Sequence, residues 1–194
     1  MIGTAVRTIF SMVLVAACAL GAVRATASEV LVLEFELNDL TLYPKVEQER
    51  ARVASLRPLL VEDLAAMGAL ELAALPAAAA EEAAKGEGYL FDRPELTARL
   101  GREAGADWVV TGRLHKASHL FVYLKAQLIE PERARVAADF VVEIKGWGEK
   151  LTAKGVESLA VQIAESIAAL EASASRTGGA KEQEAAPASP SSDL

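Results

Sequence analysis

The chain contains only two histidines, His115 and His119, and they flank the short stretch Lys116-Ala117-Ser118. Imidazole nitrogens brought beside carboxylates make an N/O site for a divalent transition metal, and Glu34, Glu36 and Asp39 are carboxylates available for that purpose. The histidine spacing also fits a hairpin turn, in which both rings are solvated. Solvated turn residues are the reading adopted, with His115 and His119 kept as a weak metal candidate. On a strand Glu34 and Glu36 would share one face. An oxygen cage for Ca²⁺ needs more ligands than that, and paired acid/base carboxylates need a cleft that raises one pKa. There is no Gly-rich phosphate loop, no Ser/His/Asp spacing and no CxxC pair. No catalytic residue is assigned, and no cofactor is expected.

Open α/β sheets bind ligands beyond the carboxyl ends of their parallel strands. Asn38, Asp39, Thr41 and Tyr43 follow the first apolar run, while His115 and Lys116 end a later one. Tyr89 and Asp92 stand just before a helix start. Together these eight residues define a candidate ligand crevice; the competing reading makes the aromatic ones a cover for the core. A second candidate is a surface. Phe121, Tyr123, Ile129 and Val141 lie off the core-facing side of two alternating segments. Left bare, they would form a partner interface or a self-association patch; covered by the last helix, they would be core.

These residues need elements to hold them. Val30 to Phe35 is a continuous apolar-rich run, the mark of a strand buried on both faces. Val53, Leu56, Leu60, Leu64 and Met67 fall on one stripe of a helix that contains Pro58 and stops at Gly68. Leu70 to Leu72 is a short strand, and Leu75 to Gly88 an alanine-rich surface helix. Asp92 with Glu95 has the form of a capping box for a helix buried through Leu96, Leu100 and Ala104 and stopped by Gly105. Trp108 to Leu114 is the third strand. Leu120, Val122, Leu124, Ala126 and Leu128 alternate on one face of the fourth, as do Val136, Ala138, Phe140, Val142 and Ile144 on the fifth. Val156, Leu159, Ile163, Ile167 and Leu170 stripe a final helix. The expected class is α/β with an α+β mixture: a single mixed sheet of about five strands in the order 2-1-3-4-5, with helices packed on it.

The ends of the chain are read from composition. Arg7, the apolar run Ile9 to Val23 and Ala25-Thr26-Ala27 before Ser28 have the form of an export signal spanning residues 1–27. Val15-Ala16-Ala17-Cys18 has the form of a lipobox, so lipidation of Cys18 is the alternative, with an outer-membrane anchor as its consequence. The domain is expected over 28–171 and a disordered tail over 172–194. Lys and Arg number 20 against 27 Asp and Glu, a net charge of −7, which argues against a nonspecific nucleic-acid binder.

The strings VLVLEFELND, LRPLLVEDLAAMG and LGREAGADWVVTGRLHK resemble the superfamily of curli-secretion lipoproteins and TolB amino-terminal domains. Phe35-Glu36-Leu37, Leu42-Tyr43-Pro44, Gly88 to Phe91 and Leu120 to Tyr123 more closely resemble an uncharacterised family of predicted secreted proteins. The resemblance implies a non-enzymatic periplasmic accessory or adaptor domain that binds an envelope protein, in a quinoprotein dehydrogenase system or in envelope assembly. The alternative is a small-ligand or metal-binding periplasmic protein using the crevice. Contact with a membrane is expected only through a lipid on Cys18. Conventional cleavage predicts an intact mass for a chain beginning at Ser28. Acyl labelling that disappears in Cys18→Ser would establish the lipoprotein instead.

Overall fold

The computed structural model describes residues 27–42, 46–68, 70–74, 81, 89–118, 120–146 and 148–184. Cys18, Tyr43, His119 and nearly all of the alanine-rich segment expected over 75–88 lie outside the described residues. The elements run β1 (Ser28–Asp39), α1 (Val46–Ala66), β2 (Leu70–Leu72), α2 (Pro94–Ala104), β3 (Trp108–Lys116), β4 (Phe121–Glu130), β5 (Arg135–Lys145) and α3 (Glu149–Glu184). They build one five-stranded sheet in the order β2-β1-β3-β4-β5. β1 is parallel to both β2 and β3, and the later strands are antiparallel. This is the mixed α/β sheet expected from helix-linked strands followed by hairpins.

The sheet separates two apolar layers. On the inner face, α1 and α3 bury Leu56, Leu60, Leu64, Leu159, Ile163 and Ile167 against Val30, Val110, Leu124 and their neighbours. On the outer face, α2 covers only one end, where Ala98 and Leu100 meet Leu31, Leu33, Val109 and Ile129. Ile129 was expected in a partner interface. It is instead fully buried, because α2 packs over the end of the sheet where it sits. Val136 joins it there. A register shift between Leu128 and Ile129 pairs Ile129 with Val136 and turns that residue off the face it was expected to share with Ala138.

Local chemistry explains the connections. Gly105 closes α2 at φ 72°, donating to the carbonyl of Arg102. Asp107 then accepts the Glu29 N–H at 2.9 Å, fastening the turn to β1. Asp92 does not cap α2: Arg93 holds that position without a side-chain bond, and Pro94 opens the helix. Met67 falls beyond the end of α1 and is exposed, as is Leu120 before β4. Pro58 lies within α1 without ending it.

α3 continues to Glu184, past the expected start of the tail at Ala172, although residues 172–176 are exposed. A helix already nucleated by packing gains one backbone bond for each residue added, so it extends over 172–176 without further burial. The last anchoring side chain is Glu171, which accepts the Trp108 indole N–H at 3.1 Å and the Ser28 hydroxyl.

Gly112 shows the tightest packing. A Cβ there would stand 2.0 Å from Cε1 of the buried Phe35 ring. Gly112→Ala should therefore cost about 1–3 kcal/mol in denaturant unfolding. A change within experimental error would mean that the ring is free to move aside.

Candidate functional site

β1 and β3 end side by side, with Asp39 and Lys116 as register partners. Strand alternation turns both side chains toward α1, whose first turn supplies Glu49. The Lys116 ammonium lies 3.0 Å from Asp39 Oδ2 and 3.2 Å from Glu49 Oε1. The Lys116 and Glu49 side chains are 0% exposed and that of Asp39 is 6% exposed. Thr41 donates to Asp39 Oδ1 through its backbone N–H at 3.0 Å and its hydroxyl at 2.6 Å. One turn along α1, Arg52 approaches Glu49 at 3.9 Å and donates from Nε to the Thr152 hydroxyl at 2.9 Å. The network thus connects β1, β3, α1 and the first turn of α3.

The charges in this network are held more by one another than by directed bonds. Among the described residues, neither carboxylate oxygen of Glu49 has a hydrogen-bond partner of good geometry, nor does either terminal nitrogen of Arg52. Burial opposes ionisation of Asp39, but the Thr41 hydrogen bonds and the Lys116 ammonium outweigh it and hold the carboxyl below its ordinary value. Burial likewise weakens proton binding by Arg52, and the Glu49 charge opposes that effect.

A second ion pair occupies the outer face. Arg113 bonds Glu36 through Nε at 3.2 Å and through a terminal nitrogen at 3.0 Å, and it also reaches Asp92 at 2.7 Å. Glu36 accepts the backbone N–H groups of Leu90 and Phe91 at 3.3 Å each. The Arg113 guanidinium lies 4.4 Å from the Phe91 ring centroid, and Arg93 lies 5.1 Å from that of Tyr89. Burial works against the charge of Arg113, but Asp92 and Glu36 more than compensate and raise its pKa. Asp92 therefore fastens the loop before α2 to the sheet.

The residues expected in one crevice fall into two groups on opposite faces. Asp39, Thr41 and Lys116 belong to the inner network, while Tyr89, Asp92 and His115 belong to the outer face, where Asn38 is the register partner of His115. Glu34 and Glu36 are also separated, by the register shift between Val32 and Phe35. Glu34 is exposed and lies 3.6 Å from Arg57, while Glu36 is enclosed beside Arg113. Arg57 in turn donates to the carbonyl of Val32 at 2.9 Å, satisfying backbone at the irregularity. Sequence reasoning missed Glu49, Arg52, Arg113 and Thr152 as members of these networks. One signal was present: Glu49 stands four residues before Val53, in line with the buried stripe of α1.

His115 faces Tyr123 with ring centroids 6.4 Å apart. Burial lowers its pKa, reinforced by the Lys125 and Arg113 charges. Among the described residues, no group of three or more His, Cys, Asp or Glu side chains is arranged to hold a metal. Further along the same outer face, beyond α2, Phe121 is 40% exposed and Val141 59% exposed. Tyr123 is half-buried, and Lys125 lies opposite Val141 in the register.

These features define a mixed α/β single-sheet domain with its charged groups largely paired internally. The chain belongs to the DUF3280 family, described as "Protein of unknown function (DUF2380)", which matches residues 28–163. No curated protein matches it. Among solved structures, it is similar to the LpoB C-terminal domain from Salmonella enterica at 13% identity and TM-score 0.44, over 61% of this chain and 83% of that one. Similarity to lipoprotein GNA1162 from Neisseria meningitidis is at 22% identity and TM-score 0.43, over 71% of this chain and 96% of that one. TolB from Acinetobacter baumannii matches at 15% identity and TM-score 0.41, over 73% of this chain and 27% of that one.

The depressed Asp39 pKa fixes the sign of an acid effect. Ionised Asp39 stabilises the fold above the ordinary carboxylate value of 3.8, and that contribution is lost as pH falls through the lower folded-state value. Asp39→Asn should be less stable than the parent at neutral pH, with the gap closing between about pH 5 and pH 2. Lys116→Met should cost more, about 3–5 kcal/mol at neutral pH, because it leaves two buried carboxylates without their cation. Equal melting of parent and Lys116→Met would show that the network contributes nothing.

Proposed function

We propose that this chain is a non-enzymatic accessory or adaptor domain of the bacterial envelope, exported to the periplasm, that binds a protein partner. The observation that carries the reading is the part of the outer sheet face left uncovered among the described residues. There Phe121 and Val141 are 40% and 59% exposed on adjacent strands, with Tyr123 and Glu143 between them and Lys145 and Lys125 as their respective register partners. Aromatic and aliphatic anchors surrounded by polar groups are the composition of a protein-binding patch. Ile129 is not part of it.

The crevice residues support the same choice from the other side. Asp39 and Lys116 are committed to each other and to Glu49, and Asp92 to Arg113. A ligand at the inner group would have to displace buried ion pairs, and one at Asp92 would have to compete with Arg113. The leader-like sequence over residues 1–27 supports export. Among the described residues, no helix is long and apolar enough to cross a membrane. The sequence resemblance favours a partner from envelope assembly or from a quinoprotein dehydrogenase system.

A photo-crosslinking residue at Phe121 tests this in cells, with one at exposed Ser158 on α3 as the control. The expected result is an adduct with a different protein from position 121 only. The adduct should be lost in Val141→Asp, while the melting transition is retained. Adducts formed equally from Ser158, or adducts that survive Val141→Asp, would overturn the assignment of this face. A product of two identical chains would likewise count against a heterologous partner there.

A further inference from the structure

β5 is an edge strand, paired only with β4 among the described residues. It is the longest strand after β1, spanning Arg135–Lys145, so its free edge is long. The ladder fixes which backbone groups point outward. Gly146 donates to the carbonyl of Leu120 at 3.1 Å, while the Phe121 carbonyl turns to the other side and accepts from Ser118. Antiparallel pairs alternate between bonded and non-bonded. Ala138, Phe140, Val142 and Ile144 therefore bond β4, whereas Asp139, Val141, Glu143 and Lys145 present their N–H and C=O groups to the open edge.

Edges of this kind are commonly protected by charged side chains, an inward-pointing charge, a proline or a bulge; the charges of β5 beyond Arg135 are Asp139, Glu143 and Lys145, of mixed sign, which a second copy in the right register can pair. From Ala138 to Lys145, β5 has no proline, and its inward side chains are Ala138, Phe140, Val142 and Ile144. The register shift beside Leu128 and Ile129 lies at the far end, leaving the stretch from Ala138 to Lys145 regular.

We infer that β5 pairs antiparallel with β5 of a second copy of this chain, about a two-fold axis at Val142, joining the two sheets into one. Charge selects this register from the alternatives. An axis at Val141 sets Asp139 opposite Glu143, and one at Glu143 sets that carboxylate against its own copy. An axis at Phe140 draws the irregular Ala137 region into the ladder, and one at Ile144 leaves only a few residues paired. With the axis at Val142, Asp139 faces Lys145 of the second copy, and the contact occurs twice by symmetry. Val141 then faces Glu143, and on the inner side Phe140 faces Ile144 while Val142 meets itself. Lys145 and Asp139 are both exposed; Lys145 lies 3.8 Å from its own Glu143 and Asp139 accepts from Gln127 at 3.2 Å, solvent-exposed contacts that pairing across the axis would exchange. The inference concerns the strand edge and shares Val141 with the sheet face; the charge exchange at Asp139 and Lys145 tests the edge alone, and Phe121, on β4 outside the proposed ladder, reports on the face.

Sedimentation equilibrium of the protein, exported with its own leader and purified, should show a two-chain species. Asp139→Lys and Lys145→Asp should each weaken association by about tenfold, since each sets two like-charged pairs across the axis. The double variant should restore it. Glu143→Pro removes an outward N–H without breaking the β4 ladder, and it should give a single chain with its melting transition retained. In a Cys18→Ser background, Val142→Cys should form an intermolecular disulfide on oxidation. Val141→Cys should not, because its copy lies diagonally across the axis. Should Glu143→Pro fail to fold, the charge exchange and the disulfide pair still decide. The inference is overturned by a single-chain species at all concentrations, a dimer indifferent to the charge changes, a double variant that does not recover, or crosslinking through Val141 in place of Val142.

Discussion

The ammonium of Lys116 sits at the meeting point of two parallel strands and a helix, with two carboxylates around it and no exposed surface. A buried cation of this kind stabilises only one arrangement of its surroundings. β1 must end level with β3 for Asp39 to reach it, and α1 must begin with Glu49 turned inward. Arg52 then carries the constraint to Thr152 at the start of α3. Apolar packing alone would tolerate small slips of α1 along the sheet. Charged groups without water do not, because a displaced partner leaves an uncompensated ion in a medium of low polarity. The network stabilises less by its strength than by penalising every alternative.

The sheet divides the molecule into two kinds of surface. Its inner face is sealed by α1 and α3, and the polar groups at its end are spent on one another. Among the described residues, its outer face carries one short helix over one end, then the clamp of Arg113 on Glu36, Asp92 and the Phe91 ring, then open strand. Cover therefore falls off along the outer face among the described residues. The same arithmetic holds along the sheet, where β2 is a stub of three residues and β5 a long rail.

Much of this was legible in the chain. The stripe Val53, Leu56, Leu60 and Leu64 and the alternation of Val122 to Leu128 report real faces, and helix-linked strands followed by hairpins dictate the strand order. What periodicity cannot report is which half of a face a neighbouring helix will cover. Ile129 and Phe121 occupy equivalent positions on β4, yet only Ile129 lies under α2. Nor can it reveal an irregularity of register. The shift between Val32 and Phe35 separates Glu34 from Glu36, which simple alternation would keep together. Glu49 was visible as a charge in line with an apolar stripe, but its partners come from strands distant in sequence. Asp92 has the spacing of a cap and serves as a clasp.

Glu171 holds Ser28, the first residue of β1, and Trp108, the first of β3. The opening of the sheet is therefore fastened by a side chain of α3, the last element in chain order. In a chain delivered amino end first, through a pore or from a ribosome, β1 waits for almost the entire polypeptide before its starting residue is secured. Partial folding against the direction of travel is correspondingly weak, and the domain gains its final closure only when its last helix has arrived. A protein wired in this way stays threadable until late and locks as a unit.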